Sequence, residues 1–141
     1  MGLTLERLVY CSAATVSTNS LLVIADILAV SQRNNLRDGL TGALAIGDGW
    51  FFQVIEGQKS YLDALIIRLS NDPRHKDIII LSRKPVKGRL FSDWSMQSAR
   101  ITPEISDDIR IMINECRTSP EDATAALVRL LSVQNGTVSP N

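Results

Sequence analysis

Along residues 5–100 the apolar positions switch between a period of two and a period near 3.6, and each switch predicts an element. In LERLVYC, residues 5–11, Leu8 and Tyr10 point one way while Arg7, Val9 and Cys11 point the other, which is a strand. Ser17 to Ser20 supply a helix start. Leu21, Ile24, Ile27, Leu28 and Ser31 then share one face of LLVIADILAVSQRNN, and Asn34-Asn35 with Gly39 just beyond predicts its end. GLTGALAIGDGWFFQVIEG, residues 39–57, carries two β-forming runs joined at Gly47-Asp48-Gly49, a hairpin signal. Neither run alternates cleanly with polar residues, so both sheet faces are expected to be covered. Leu62, Leu65, Ile66 and Leu69 place a second helix at about 60–71, stopped by Asp72-Pro73. Ile78 to Leu81 reads as a fourth strand, KPVKGR as loop, and Phe91 to Ala99 (FSDWSMQSA) as a fifth strand.

The order β-α-β-β-α-β-β is the ferredoxin-like α+β plan with an added strand. It places the first and third strands side by side at the sheet centre, with both helices on one face. Tyr10 and Gln53 then sit on adjacent strands and share a face if the register permits. Past Arg100, Thr102-Pro103-Glu104 and Ser119-Pro120-Glu121-Asp122 are helix-start signatures. They predict helices at about 103–117 and 120–132, whose apolar stripes would cover the other sheet face. Three parts follow: a sheet domain over 1–100, a helical cap over 101–133 and a disordered tail over 134–141.

Composition narrows the classes. A chain of 141 residues with 45% hydrophobic residues forms one domain with a real core. Fifteen Lys and Arg balance fifteen Asp and Glu, and no basic cluster tracks phosphates, which argues against nucleic acid. The longest apolar run, Leu21 to Val30, is broken by Asp26 and too short for a bilayer. MGLTLERLVY lacks a signal-peptide pattern, so the expected location is the cytoplasm. Cys11 and Cys116 make no disulfide framework, and a single histidine makes no metal cluster.

Gln53 is the misfit of the central run. An unpaired amide there would cost roughly 1–3 kcal/mol, so a neighbouring strand, a buried water or a ligand must meet both its donor and its acceptor. Other polar residues converge on the same side. Ser31, Asn34 and Asn35 close the first helix; Arg68 and Asp72 close the second, with Arg74 and His75 in the turn behind. Trp94 and Met96, two apart on the fifth strand, share a face. Such a set suits a planar heterocycle rich in carbonyl and imide groups. Singly, each has a plainer use: a helix stop, a surface i, i+4 pair worth about 0.2–0.5 kcal/mol, a solvated loop histidine.

RLVY with Tyr10, SQRNN (31–35) followed by GLTG (39–42), FFQVIEG (51–57), RLSNDPRH (68–75) and WSMQ (94–97) together resemble a BLUF domain, a blue-light sensor using flavin. The resemblance covers roughly residues 5–100. It implies FAD or FMN as cofactor, with Gln53 beside flavin N5 and C4=O, Tyr10 bonded to Gln53, and Asn35 on the O4/N3 edge. It further implies that Ser31, Asn34, Arg68, Asp72, Arg74 and His75 help hold the ring and ribityl chain, and that Ile27 and Phe51 sandwich the ring. Trp94 and Met96 would be the pair that shifts with the light state. In the family mechanism the excited flavin draws an electron and a proton from tyrosine through glutamine, and the rearranged amide leaves a red-shifted spectrum. The same resemblance implies a photoreceptor and not an enzyme, with no output domain following and with a partner protein or another copy of the chain as the recipient of the signal. The rival enzyme on this plan, an acylphosphatase, needs a Gly-rich anion cradle and an arginine after the first strand. SAATVSTNS (12–20) has neither. A chromophore-free regulatory domain is the remaining alternative.

Overall fold

The first strand and the two β-forming runs of the hairpin pair as their patterns require. The computed structural model describes residues 4–47, 49–91 and 97–100, together with Thr124, Ala125 and Val128. Its elements are β1 (Leu5–Ala14), α1 (Leu21–Asp38), β2 (Thr41–Gly47), β3 (Trp50–Gln58), α2 (Lys59–Ser70), β4 (His75–Pro85) and β5 (Gln97–Arg100). They form one five-stranded sheet in the order β4-β1-β3-β2-β5. β1 and β3 are the antiparallel neighbours at its middle, and β5 joins β2 in parallel. Gly47 opposite Trp50 leaves the two-residue turn that the Asp-Gly signal predicts. The α+β ferredoxin-like reading holds.

Alternation in β1 and β3 separates two buried layers. Leu8, Tyr10, Phe51 and Ile55 join Ile24, Ile27, Leu62 and Leu65 in a core under the helices. On the opposite face Val9, Cys11, Phe52, Val54, Ala43 and Ala45 are equally deep, each at most 3% exposed. Both faces of the central strands are therefore buried, which is why neither run carries a polar stripe. Gly42 serves the tight β2–β3 contact: a Cβ there would lie 2.3 Å from the Val54 carbonyl oxygen. No helix among the described residues is long and apolar enough to cross a membrane.

Several element limits differ from expectation. β1 continues past Cys11 to Ala14, and Phe91, expected to open the fifth strand, is a bend, the described strand being Gln97–Arg100. α1 does not stop at Asn34-Asn35 but runs to Asp38, where Gly39 at φ 68° closes it and donates its N–H to the Asn35 carbonyl. The left-handed glycine is the true stop, because an asparagine inside a helix costs only a fraction of a kcal/mol. β4 reaches from His75 to Pro85, well beyond Ile78 to Leu81, so Lys84 and Pro85 leave the expected loop. As an edge strand it tolerates the charges and the proline that disguise it in sequence. The expected helix at 103–117 and most of that at 120–132 lie outside the described residues; Thr124, Ala125 and Val128, within the second, are helical.

A carboxylate that no motif advertised holds the chain leaving β4. Glu56, fully buried on the far face of β3, accepts from Arg7 Nε at 2.8 Å and from the backbone N–H groups of Leu90 and Phe91 at 2.9–3.1 Å. Arg89 adds bonds to the Thr41 hydroxyl and to the Gly39 and Glu56 carbonyls. Glu56→Ala would strand the Arg7 guanidinium and two amides, a loss of roughly 3–5 kcal/mol for a broken buried pair. Urea denaturation should show a correspondingly lower midpoint, with a smaller loss in Glu56→Gln, which keeps an acceptor; an unchanged midpoint in the alanine variant would contradict this role.

Candidate functional site

Where α1 and α2 end above the sheet, the side chains leave a cavity of about 290 Å³. Its floor is the helix-facing side of the central strands. Tyr10 of β1 stands directly opposite Gln53 of β3, so the two side chains share a face with Cβ atoms about 4.5–5.5 Å apart. Both are almost wholly buried, at 3% and 5% exposure. Phe51, two residues before Gln53, lies on the same face, and Leu44 of β2 borders Gln53 on its other side. The register that sequence left open thus unites the phenol and the amide.

Helix periodicity supplies one wall. Ile27, Ser31, Asn34 and Asn35 are spaced i, i+4, i+7 and i+8 along α1 and all line the cavity. Asn35, 2% exposed, sits in the last turns of α1 because its own carbonyl caps the helix, receiving the N–H groups of Gly39 and, at 2.9 Å, Leu40. The other wall comes from the end of α2 and the turn after it: Arg68, Asp72, Arg74 and His75. Thr15 stitches that turn to β1, its N–H donating to the Arg74 carbonyl and its hydroxyl to that of Pro73. Every expected lining residue up to His75 is brought together. Trp94 and Met96 lie outside the described residues.

The charges pair differently from expectation. Arg68 and Asp72 do not form an i, i+4 pair. Arg68 meets Asp38 at 3.4 Å, across from the end of α1, while Arg74 forks onto Asp72 at 2.9–3.2 Å. Burial pulls the Asp72 carboxyl upward, yet the side-chain and backbone bonds from Arg74 outweigh it and leave the group below the usual carboxylate range. His75 is no solvated loop residue. It opens β4, 9% exposed, with Nδ1 2.8 Å from the Ser12 hydroxyl. Burial lowers its pKa, against the opposing pulls of the Asp72 charge and the Leu69 backbone carbonyl. For Tyr10, burial first and the Asp72 charge second push the phenol far above its ordinary value. The centre of the site is therefore neutral: phenol, amides and imidazole ringed by paired charges.

Among the described residues, two polar atoms there lack a partner. Arg68 Nη2 and His75 Nε2 are buried with no hydrogen bond, each a cost of about 1–3 kcal/mol unless met. Polar atoms that line a cavity and are unmet by the described residues fit a ligand with hydrogen-bonding oxygens or nitrogens. No group of three or more His, Cys, Asp and Glu among the described residues could hold a metal ion. Sequence reasoning missed Val30, Leu44, Leu65, Leu69 and Pro73, which also line the cavity. Their helical and strand spacing gave only a core signal, and apolar walls look the same in sequence whether they face a ligand or each other.

A family model described as sensors of blue-light using FAD matches residues 5–97. The alpha subunit of a photoactivated adenylate cyclase from Euglena gracilis is 38% identical over 98 residues, covering 69% of this chain. The match spans only about a tenth of that relative, 10% of its length. Among solved structures, BlrB, a BLUF protein in its dark state, superposes with a TM-score of 0.73 at 30% identity, covering 94% of this chain and 98% of its own. BlrP1 of Klebsiella pneumoniae, solved with FMN and cyclic diGMP, gives 0.68 at 25% identity, over 94% of this chain and 35% of its own. The chain that sets Tyr10 against Gln53 on a cavity floor belongs to the BLUF family of blue-light sensors.

Proposed function

We propose that residues 1–100 hold the ring of FAD or FMN in this cavity and that Gln53 is the element that changes with light. The observation that carries the reading is the direct pairing of Tyr10 with Gln53 on the wall of a neutral pocket with polar atoms unmet by the described residues. Flavin, when bound, supplies a chromophore that absorbs blue light and accepts an electron once excited. The cavity, near the small end of the roughly 300–1,000 Å³ typical of ligand sites, suits the ring, with the rest of the cofactor extending outward; FAD and FMN therefore both fit.

The chain's own residues divide the work. Ile27 and Phe51 flank the ring, and the Asn35 amide offers both a donor and an acceptor to its carbonyl and imide edge. Ser31 and Asn34 add polar contacts from α1. Arg68, Asp72, Arg74 and His75 serve the polar remainder of the cofactor. Burial keeps the proton on Tyr10, so the phenol is a hydrogen-bond donor to Gln53. The Gln53 carboxamide carries donor and acceptor on one swivelling group, and turning it exchanges which end meets Tyr10.

No substrate is turned over by these groups, and the chain acts as a receptor. β5 relays the change to a partner protein or a second copy of the chain. The cyclase activity in the relative's name belongs to that longer protein.

Purified protein should be yellow and shift its flavin bands to the red under blue light; a colourless protein that cannot be loaded with FAD or FMN would overturn the reading. Gln53→Leu should bind flavin yet lose the red shift, and Tyr10→Phe should stay yellow but fail to cycle. A normal shift in the leucine variant would refute the switch assignment. A separate consequence concerns pH. The folded-state pKa of His75 lies below its ordinary 6.5, so the unfolded chain binds that proton more readily. Stability is then fully present above about pH 6.5 and declines as pH falls toward the folded value. Denaturation midpoints at pH 7.5 and 5.5 should differ more for the native chain than for His75→Gln; equal differences would count against a buried neutral imidazole.

A further inference from the structure

Ser12 has no part in the reading above, yet it is fully buried beside the site. It lies two residues beyond Tyr10 on the same face of β1 and opposite Phe51 in the β1–β3 ladder. Its Oγ is 2.8 Å from His75 Nδ1. Phe51 stands edge-to-face against the same imidazole, ring centres 5.7 Å apart and planes at 86°. The ring is gripped on two sides by neighbours that are themselves opposed in register. Its other nitrogen, Nε2, is buried without a hydrogen bond among the described residues, and His75 lines the cavity.

A hydroxyl has one proton to give, and a neutral imidazole has one N–H and one bare nitrogen. If Nδ1 held the proton and donated to Ser12, the buried serine proton would need a second acceptor, and Nε2 would be a bare lone pair. If Ser12 donates to Nδ1, one bond satisfies both groups and the ring proton sits on Nε2. Burial favours the neutral ring that this choice requires. We infer that Ser12 is a positioning residue that locks His75 as the Nε2–H tautomer, turning the imidazole into a hydrogen-bond donor toward an oxygen acceptor of the flavin. The inference rests on the flavin reading for the identity of the acceptor, but not for the tautomer.

His75 is the single histidine of the chain, so nitrogen NMR of the ¹⁵N-labelled protein, as purified and at pH 8, reports one imidazole without assignment. The native chain should show a protonated Nε2 and an unprotonated Nδ1. Ser12→Ala, which removes the partner of Nδ1, should lose the single fixed pattern and show both tautomers in exchange, and should bind FMN about tenfold more weakly, the effect of one lost hydrogen bond of ordinary strength. Ser12→Thr, which keeps the hydroxyl, should restore the native pattern and affinity. A native Nδ1–H signal overturns the inference, as does an alanine variant that retains the native tautomer and affinity. Colourless protein with the Nε2–H signal would sink the flavin reading alone, since Ser12 would still be setting the tautomer.

Discussion

The pairing of β1 with β3 is the constraint on which the rest depends. Residue for residue it sets Tyr10 against Gln53, Ser12 against Phe51 and Arg7 against Glu56. A strand with one wet face fixes its register by a single apolar stripe. Here both faces are buried, so a slip of one residue would turn Glu56 under the helices and drive Phe52 and Val54 out of the opposite layer. A carboxylate moved into the apolar core without Arg7 and two amide donors would be a heavy loss. The same residues that make slippage costly therefore guarantee the contact between the phenol and the amide. Site and fold are specified by one ladder.

Charge is arranged around that contact, not in it. Arg74 with Asp72 and Arg68 with Asp38 pair at the ends of α1 and α2, whereas Tyr10, Gln53 and Asn35 are neutral at the depth of the pocket. Neutral groups can exchange hydrogen bonds for about 1 kcal/mol, while separating a buried ion pair costs several. A pocket floor of amides and phenol is thus free to have two arrangements close in energy. The rim charges act on it at a distance, as the Asp72 carboxylate does when it helps to keep the Tyr10 proton in place.

Much of this was legible in the sequence, and the exceptions have physical causes. Period-two spacing gave β1 and 3.6-residue spacing gave α1 and α2, because burial imposes those periods directly, while β2 and β3 were legible from β-forming runs around a turn signal. Gln53 stood out because an amide among aromatics must be answered. Register was not legible, since it is a relation between strands and the patterns describe each one alone. The end of α1 was misplaced because two asparagines imitate a stop that Gly39 supplies. β4 was shortened because an edge strand admits charged residues. His75 was taken for a turn residue, and its burial depends on Ser12 and Phe51, both distant in sequence. Glu56 was not singled out, because its partners Arg7, Leu90 and Phe91 are distant in sequence, although it is buried as completely as Val54.

A rearrangement worth about 1 kcal/mol shifts a two-state equilibrium only about fivefold. Whatever receives such a signal must be nearly balanced and mechanically close to its source. The sheet offers a short route. Gln53 is registered with Leu44 on β2, and Leu44 with Ser98 on β5, so three adjacent strands lie in line with the amide. On the far face, the fully buried Glu56 carboxylate holds the segment at Leu90 and Phe91 through their backbone N–H groups. One end of the chain leading to β5 is thereby fixed at Phe91. Glu56 and Gln53 are three residues apart on one strand and on opposite faces of it. That separation leaves the bonds that hold the register on one side of β3 and the pocket on the other.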